Sequence, residues 1–194
     1  MASLVLSGDT SGSITVSAPA VAGSNTQTLV NVTGTLAPLV SGTAIVSSGA
    51  NIDFTGIPSW AKRVTIMFNG ISTTGTSPPQ IQVGSGSFTT SGYLGANSVI
   101  AASSVSTVVF TTGFGIGVNT GGWAASSVIS GTITLTLMTG NTWTASGSAG
   151  TSTGTGVYLT AGGISLSGAL DRVRITTVNG TDTFDAGTFN IMWE

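Results

Sequence analysis

Alternation of apolar and polar residues is the strongest pattern in the chain. In GTITLTLM, Ile133, Leu135 and Leu137 fall on one face and Thr132, Thr134 and Thr136 on the other, the period of a half-buried strand. KRVTIMF repeats it, with Val64, Ile66 and Phe68 opposed to Arg63, Thr65 and Met67. DRVRITT opposes Val173 and Ile175 to Arg172, Arg174 and Thr176, and TFNIMWE aligns Phe189, Ile191 and Trp193. Weaker strand patterns lie at 43–48, 51–56, 79–85, 106–112, 141–146 and 156–162. Turn signals separate them: Asn69-Gly70, Pro78-Pro79, Gly121-Gly122, Gly140-Asn141, Gly162-Gly163 and Asn179-Gly180. Helix formers are scarce, and only SVIAASSVS (98–106) has the composition for a helical turn or two. The chain therefore reads as all-β, a sandwich or barrel of antiparallel sheets.

A compositional boundary falls near residue 44. Residues 1–44 are repetitive and carry no charge after Asp9, whereas 45–194 holds the dense strand patterns. About forty residues bury too little surface to be stable alone without disulfides, metal or association. With no cysteine in the chain, association is left. The first part thus reads as an extended, β-rich attachment and oligomerisation segment in which Ile14, Val16, Leu29, Val30 and Leu36 become buried only against other copies.

Composition then removes most chemistry. The 194 residues include no His, no Cys and a single Lys, which excludes thiolate chemistry, His-based triads and the usual zinc ligand sets. A net charge of −2 offers no field for a phosphate backbone, so nucleic acid is not an expected partner. No apolar run approaches a membrane span, and MASLVLSGDT lacks the basic start of a secretory signal. The Gly-rich stretches GTSTGTGVY and GFGIGVNTGG lack the lysine of a phosphate loop. No cofactor or metal is expected, and no enzymatic activity.

Charge placement says more than the total. No Asp, Glu, Lys or Arg occurs between Arg63 and Asp171. A surface so neutral suits a chain covered by copies of itself or by a larger assembly. Asp182 and Asp185 form the closest carboxylate pair, but their Gly-bounded setting is that of a hydrogen-bonded turn. Arg172 and Arg174 share a strand face behind Asp171, with Asp53, Asp182 and Asp185 as the available counter-charges; structural ion pairing outweighs a cationic site for an acidic sugar. Among aromatic residues, Trp60, Trp143 and Trp193 read as core. Tyr93, Trp123 and Tyr158, flanked by Gly and small residues, are the candidates for outward-facing rings that stack on a glycan.

Two long stretches carry a resemblance. NIDFTGIPSWAKRVTIMFNGISTTGTS and LSGALDRVRITTVNGTDTFDAGTFNIMWE resemble the C-terminal β domain of tail fibres and related virion surface proteins of tailed bacteriophages. GSITVSAPAVAGSNTQTL resembles their Ser/Ala/Pro-rich lead segments. The resemblance implies a jelly-roll-like β-sandwich at 45–194 and a homotrimer, made in the host cytoplasm and built into the phage particle surface. Its implied partners are its own copies, other tail or capsid proteins, and host surface glycan. Two roles follow: a trimeric tail fibre or short appendage contacting the host, or a capsid decoration protein.

Overall fold

A computed structural model of the chain describes residues 3–7, 11–17, 37–117, 123–152 and 156–194. Every regular element among them is a β-strand. Two units are distinct, residues 1–36 and a body of residues 37–194.

In the first unit, β1 (Ser3–Ser7) and β2 (Ser13–Ser17) form an antiparallel hairpin pairing Leu4 with Val16 and Leu6 with Ile14. In the body the strands run β3 (Val40–Ser41), β4 (Ile45–Val46), β5 (Asn51–Thr55), β6 (Arg63–Thr73), β7 (Pro79–Ser85) and β8 (Ser87–Phe88). They continue as β9 (Leu94–Ala101), β10 (Ser104–Phe110), β11 (Phe114–Gly115) and β12 (Ile129–Thr139). Last come β13 (Thr142–Thr151), β14 (Gly156–Ser165), β15 (Arg172–Thr177) and β16 (Phe184–Trp193). The larger sheet is ordered β10-β9-β14-β13-β12-β6-β16-β3, with β4 also on β16; the smaller is β11-β7-β15-β5, with β8 on β7. All pairings are antiparallel.

The alternation read from the sequence is what each sheet buries. Val64, Ile66 and Phe68 of β6, Ile133 and Leu135 of β12, and Phe189 and Ile191 of β16 point inward from the larger sheet. Ile52 and Phe54 of β5, Ile81 and Val83 of β7, and Val173 and Ile175 of β15 do so from the smaller, and both sets join one apolar cluster. A fully buried aliphatic side chain of this kind contributes roughly 1.5–3 kcal/mol. The all-β sandwich expectation holds. β16 bulges twice against β6, and at the second bulge Gly187 has φ +94° with the Gly70 backbone 2.6 Å from where a Cβ would stand, so only glycine fits.

Three details differ from the sequence reading. The body begins before residue 44, because β3 already adds to β16. Residues 98–106 hold no helical turn but the facing ends of β9 and β10, joined at Ala102-Ser103. Trp143 is buried and Trp193 packs against the core, but Trp60 lies in a turn with 42% of its surface exposed.

Candidate functional site

Tyr93, Trp123 and Tyr158 do not present their rings outward. They are 1%, 6% and 3% exposed and belong to the apolar core. Tyr93 meets Phe114 edge-on at 4.9 Å between ring centres, and its Oη accepts from Val83 N at 2.8 Å while donating to Thr89 O at 2.9 Å. Burial raises its pKa to about 12, against a smaller opposing effect of the Val83 bond. Trp123 donates from Nε1 to Thr73 Oγ1 at 3.0 Å and lies 6.5 Å from the Tyr158 ring; burial raises the Tyr158 pKa. A stacking platform needs an uncovered face, which these rings lack. The glycines beside Tyr93 in the chain serve other needs, Gly92 a φ of +83° and Gly95 a close approach to the Ala161 carbonyl. A Cβ on Gly115 would enter the Phe110 ring, and one on Gly117 would stand 2.8 Å from Trp123, so small residues beside rings here make room for inward packing.

The three arginines are engaged. Arg174 on β15 stands opposite Asp53 on β5 and forms a two-pronged pair with it, both contacts 2.7 Å. Arg172 holds Asp171 through Nε at 2.7 Å and Nη2 at 3.2 Å. The Arg174 guanidinium also covers the Phe88 ring at 4.1 Å, with Arg172 at 5.6 Å. The hydrogen bond from Arg172 holds the Asp171 carboxyl below its ordinary pKa, and each arginine is held further protonated by its carboxylate. Two cations facing two carboxylates leave a balanced cluster, as structural pairing requires. Arg63 pairs with Glu194 where β6 and the end of β16 run together.

Asp182 and Asp185 do not converge on a reacting centre. Asp182 accepts from Asn179 Nδ2 at 2.8 Å and Ser77 N at 2.9 Å, which hold its pKa low and tie the β15–β16 turn to the start of β7. Asp185 accepts from Ser72 Oγ on β6. Among the described residues, no three acidic side chains gather as a metal site would require. The open groove over Met67, Asn69, Thr132 and Asn190 on the larger sheet holds no charged group.

What the described surface presents instead is apolar. In the N-terminal hairpin, Leu4, Leu6, Ile14 and Val16 share one face and are 54–69% exposed. Of the residues assigned to self-association, Ile14 and Val16 are thus together on that face, and Leu29, Val30 and Leu36 lie outside the described residues. On the body, Leu94, Ile100, Val105, Val109, Val157 and Leu159 are exposed. The sequence hid these because in GVYLTAG the apolar Val157 and Leu159 alternate with Tyr158 and Thr160, and register alone decides which pair faces in. No family model matches the chain, and neither the curated proteins nor the solved structures contain a match.

Proposed function

We propose that this chain is a non-enzymatic structural protein of a tailed-phage virion, a trimeric tail fibre or short appendage that assembles through its N-terminal segment and contacts the host surface. The observation that supports this reading is the hairpin face of Leu4, Leu6, Ile14 and Val16. A two-stranded hairpin is marginal alone in water, and one with four apolar side chains on one exposed face gains stability by covering them. Identical hairpins from other copies offer a surface of the same size and chemistry, with no charge to desolvate. The likeness of the lead segment and of both ends of the body to virion surface proteins supplies the setting. Tyr93, Trp123 and Tyr158 take no part in host contact in this reading, since their faces are covered.

The test is native mass spectrometry of the full chain at micromolar concentration. A trimer is expected, and changing Leu6 and Ile14 together to Lys should shift it towards monomer. A wild-type chain that stays monomeric at tens of micromolar overturns the reading. Copies per particle, counted by electron microscopy, separate the placements: a few to tens for a tail appendage, hundreds for capsid decoration.

A further inference from the structure

The outward face of the larger sheet changes character along its width. From β13 to β12 it is a field of hydroxyls, with Ser146 and Ser148 beside Thr134 and Thr132. At the β10 end it turns apolar. Val105 of β10, Ile100 of β9 and Val157 of β14 lie in one cross-strand row. Val109, Ala96 and Ala161 form a second, with Leu159 between the rows and Leu94 at the margin. Val109 is 73% exposed, Val105 69% and Leu94 77%. The other face of the same strands is spent on the core through Val99, Phe110 and Tyr158.

We infer that this face is the surface through which the body packs against the corresponding faces of the other copies of the chain around their common axis. The inference rests on the self-association reading above but assigns it a second surface, independent of the hairpin. Three observations carry it. The six exposed side chains present on the order of 600 Å² of apolar surface, at or above what a monomer ordinarily leaves uncovered in one patch. Two such faces together bury about 1,200 Å² before their Ser, Thr and Ala neighbours are counted, which reaches the range of stable interfaces. Every residue of the patch lies in the segment without charge between Arg63 and Asp171, so apposed copies meet no like charges and desolvate no ion. β10, at the end of the sheet, also carries none of the lysines, prolines or inward charges that ordinarily protect an exposed edge strand. Sheets packed face to face through aliphatic rows are the ordinary solution for such a surface.

The test uses the full chain. Val105 and Val109 are changed together to Lys, which their exposure tolerates, and association is followed by sedimentation beside the wild type and the L6K/I14K hairpin variant. The patch variant should raise the dissociation constant at least a hundredfold while melting as cooperatively as the wild type at low concentration. A single thiol placed by Thr107→Cys, in a chain that has none, should react with a maleimide at least tenfold more slowly in the assembled than in the dissociated protein, whereas Thr55→Cys on β5 should react equally in both. A patch variant within threefold of wild type overturns the inference, as does a T107C thiol labelled equally in both states. Dissociation by the hairpin variant alone leaves the N-terminal reading standing and removes this one; dissociation by the patch variant alone does the reverse. A monomeric wild type removes both.

Discussion

Removing one oxygen from Tyr93 isolates an energetic device at the edge of β7. The Tyr93 hydroxyl accepts from Val83 N and donates to Thr89 O, while Thr89 N donates to Val83 O at 2.9 Å. The phenol thus stands in for a neighbouring strand at a residue that is fully buried. Tyr93→Phe keeps the ring and its edge contact with Phe114 but leaves Val83 N without that acceptor. A buried donor left unsatisfied costs about 1–3 kcal/mol, so a loss near 2 kcal/mol is expected at pH 7. The same hydroxyl carries an alkaline signature. Its folded pKa of about 12 lies above that of the unfolded chain, so the stability it supports is complete below pH 10 and is lost as pH rises towards 12. At pH 11 the loss from this group amounts to about 1.4 kcal/mol, and the phenylalanine variant has no such group to ionise. Urea unfolding of both proteins at pH 7 and 11, at one fixed concentration, measures the two effects. The stability gap should narrow at pH 11 by roughly that amount. A variant as stable as wild type at pH 7, or a gap unchanged by pH, refutes the reasoning.

Other expectations follow from the same structure. Gly147→Ala should destabilise by about 3 kcal/mol, because its Cβ would strike the Thr132 carbonyl of the adjoining strand, while Gly150→Ala, three residues on with open space around it, should change the unfolding midpoint little. Trp123→Ala should cost about 3–5 kcal/mol in thermal or denaturant unfolding, through the lost ring and its lost bond to the Thr73 hydroxyl. Asp171→Asn should flatten the acid limb of the stability profile: its lowered pKa supplies stability above the ordinary carboxylate range that disappears as pH falls through the folded value, so the two proteins should converge at low pH. Arg174→Ala should cost about 1–2 kcal/mol, the solvent-open Asp53 pair supplying under about 1 and the cover over Phe88 about 0.5–1.

The four clearest sequence patterns became β6, β12, β15 and β16 with the expected faces inward, because each strand has one face towards the core and a strict period of two. β7 matched its weak pattern over 79–85 even though both its faces are buried. The β9–β10 turn escaped notice because Ala102-Ser103 lacks the Gly, Asn or Pro that announces a hairpin, and β8 and β11 are two residues long. The ion pair of Arg174 was legible as chemistry but its partner was not, since three aspartates were available and cross-strand register alone selects Asp53. The aromatic residues went the other way. Glycine beside a ring in the chain reads as loop freedom, whereas the glycines that make room for Phe110 and Trp123 are Gly115 and Gly117, several residues away from them.

The position of β16 bears on how the body is made. Its ten residues lie between β6 and the short strands β3 and β4, and β5 likewise waits for β15, more than a hundred residues downstream. On a ribosome, β6 therefore emerges with both flanks unfilled and keeps one of them so until residues 184–193 appear, while the aliphatic side chains meant for the interior face solvent. Such distant pairings close slowly and favour exchange between neighbouring nascent chains on one message. During that delay half-built bodies meet while their sheets are still open, and strands of one copy can pair with those of another.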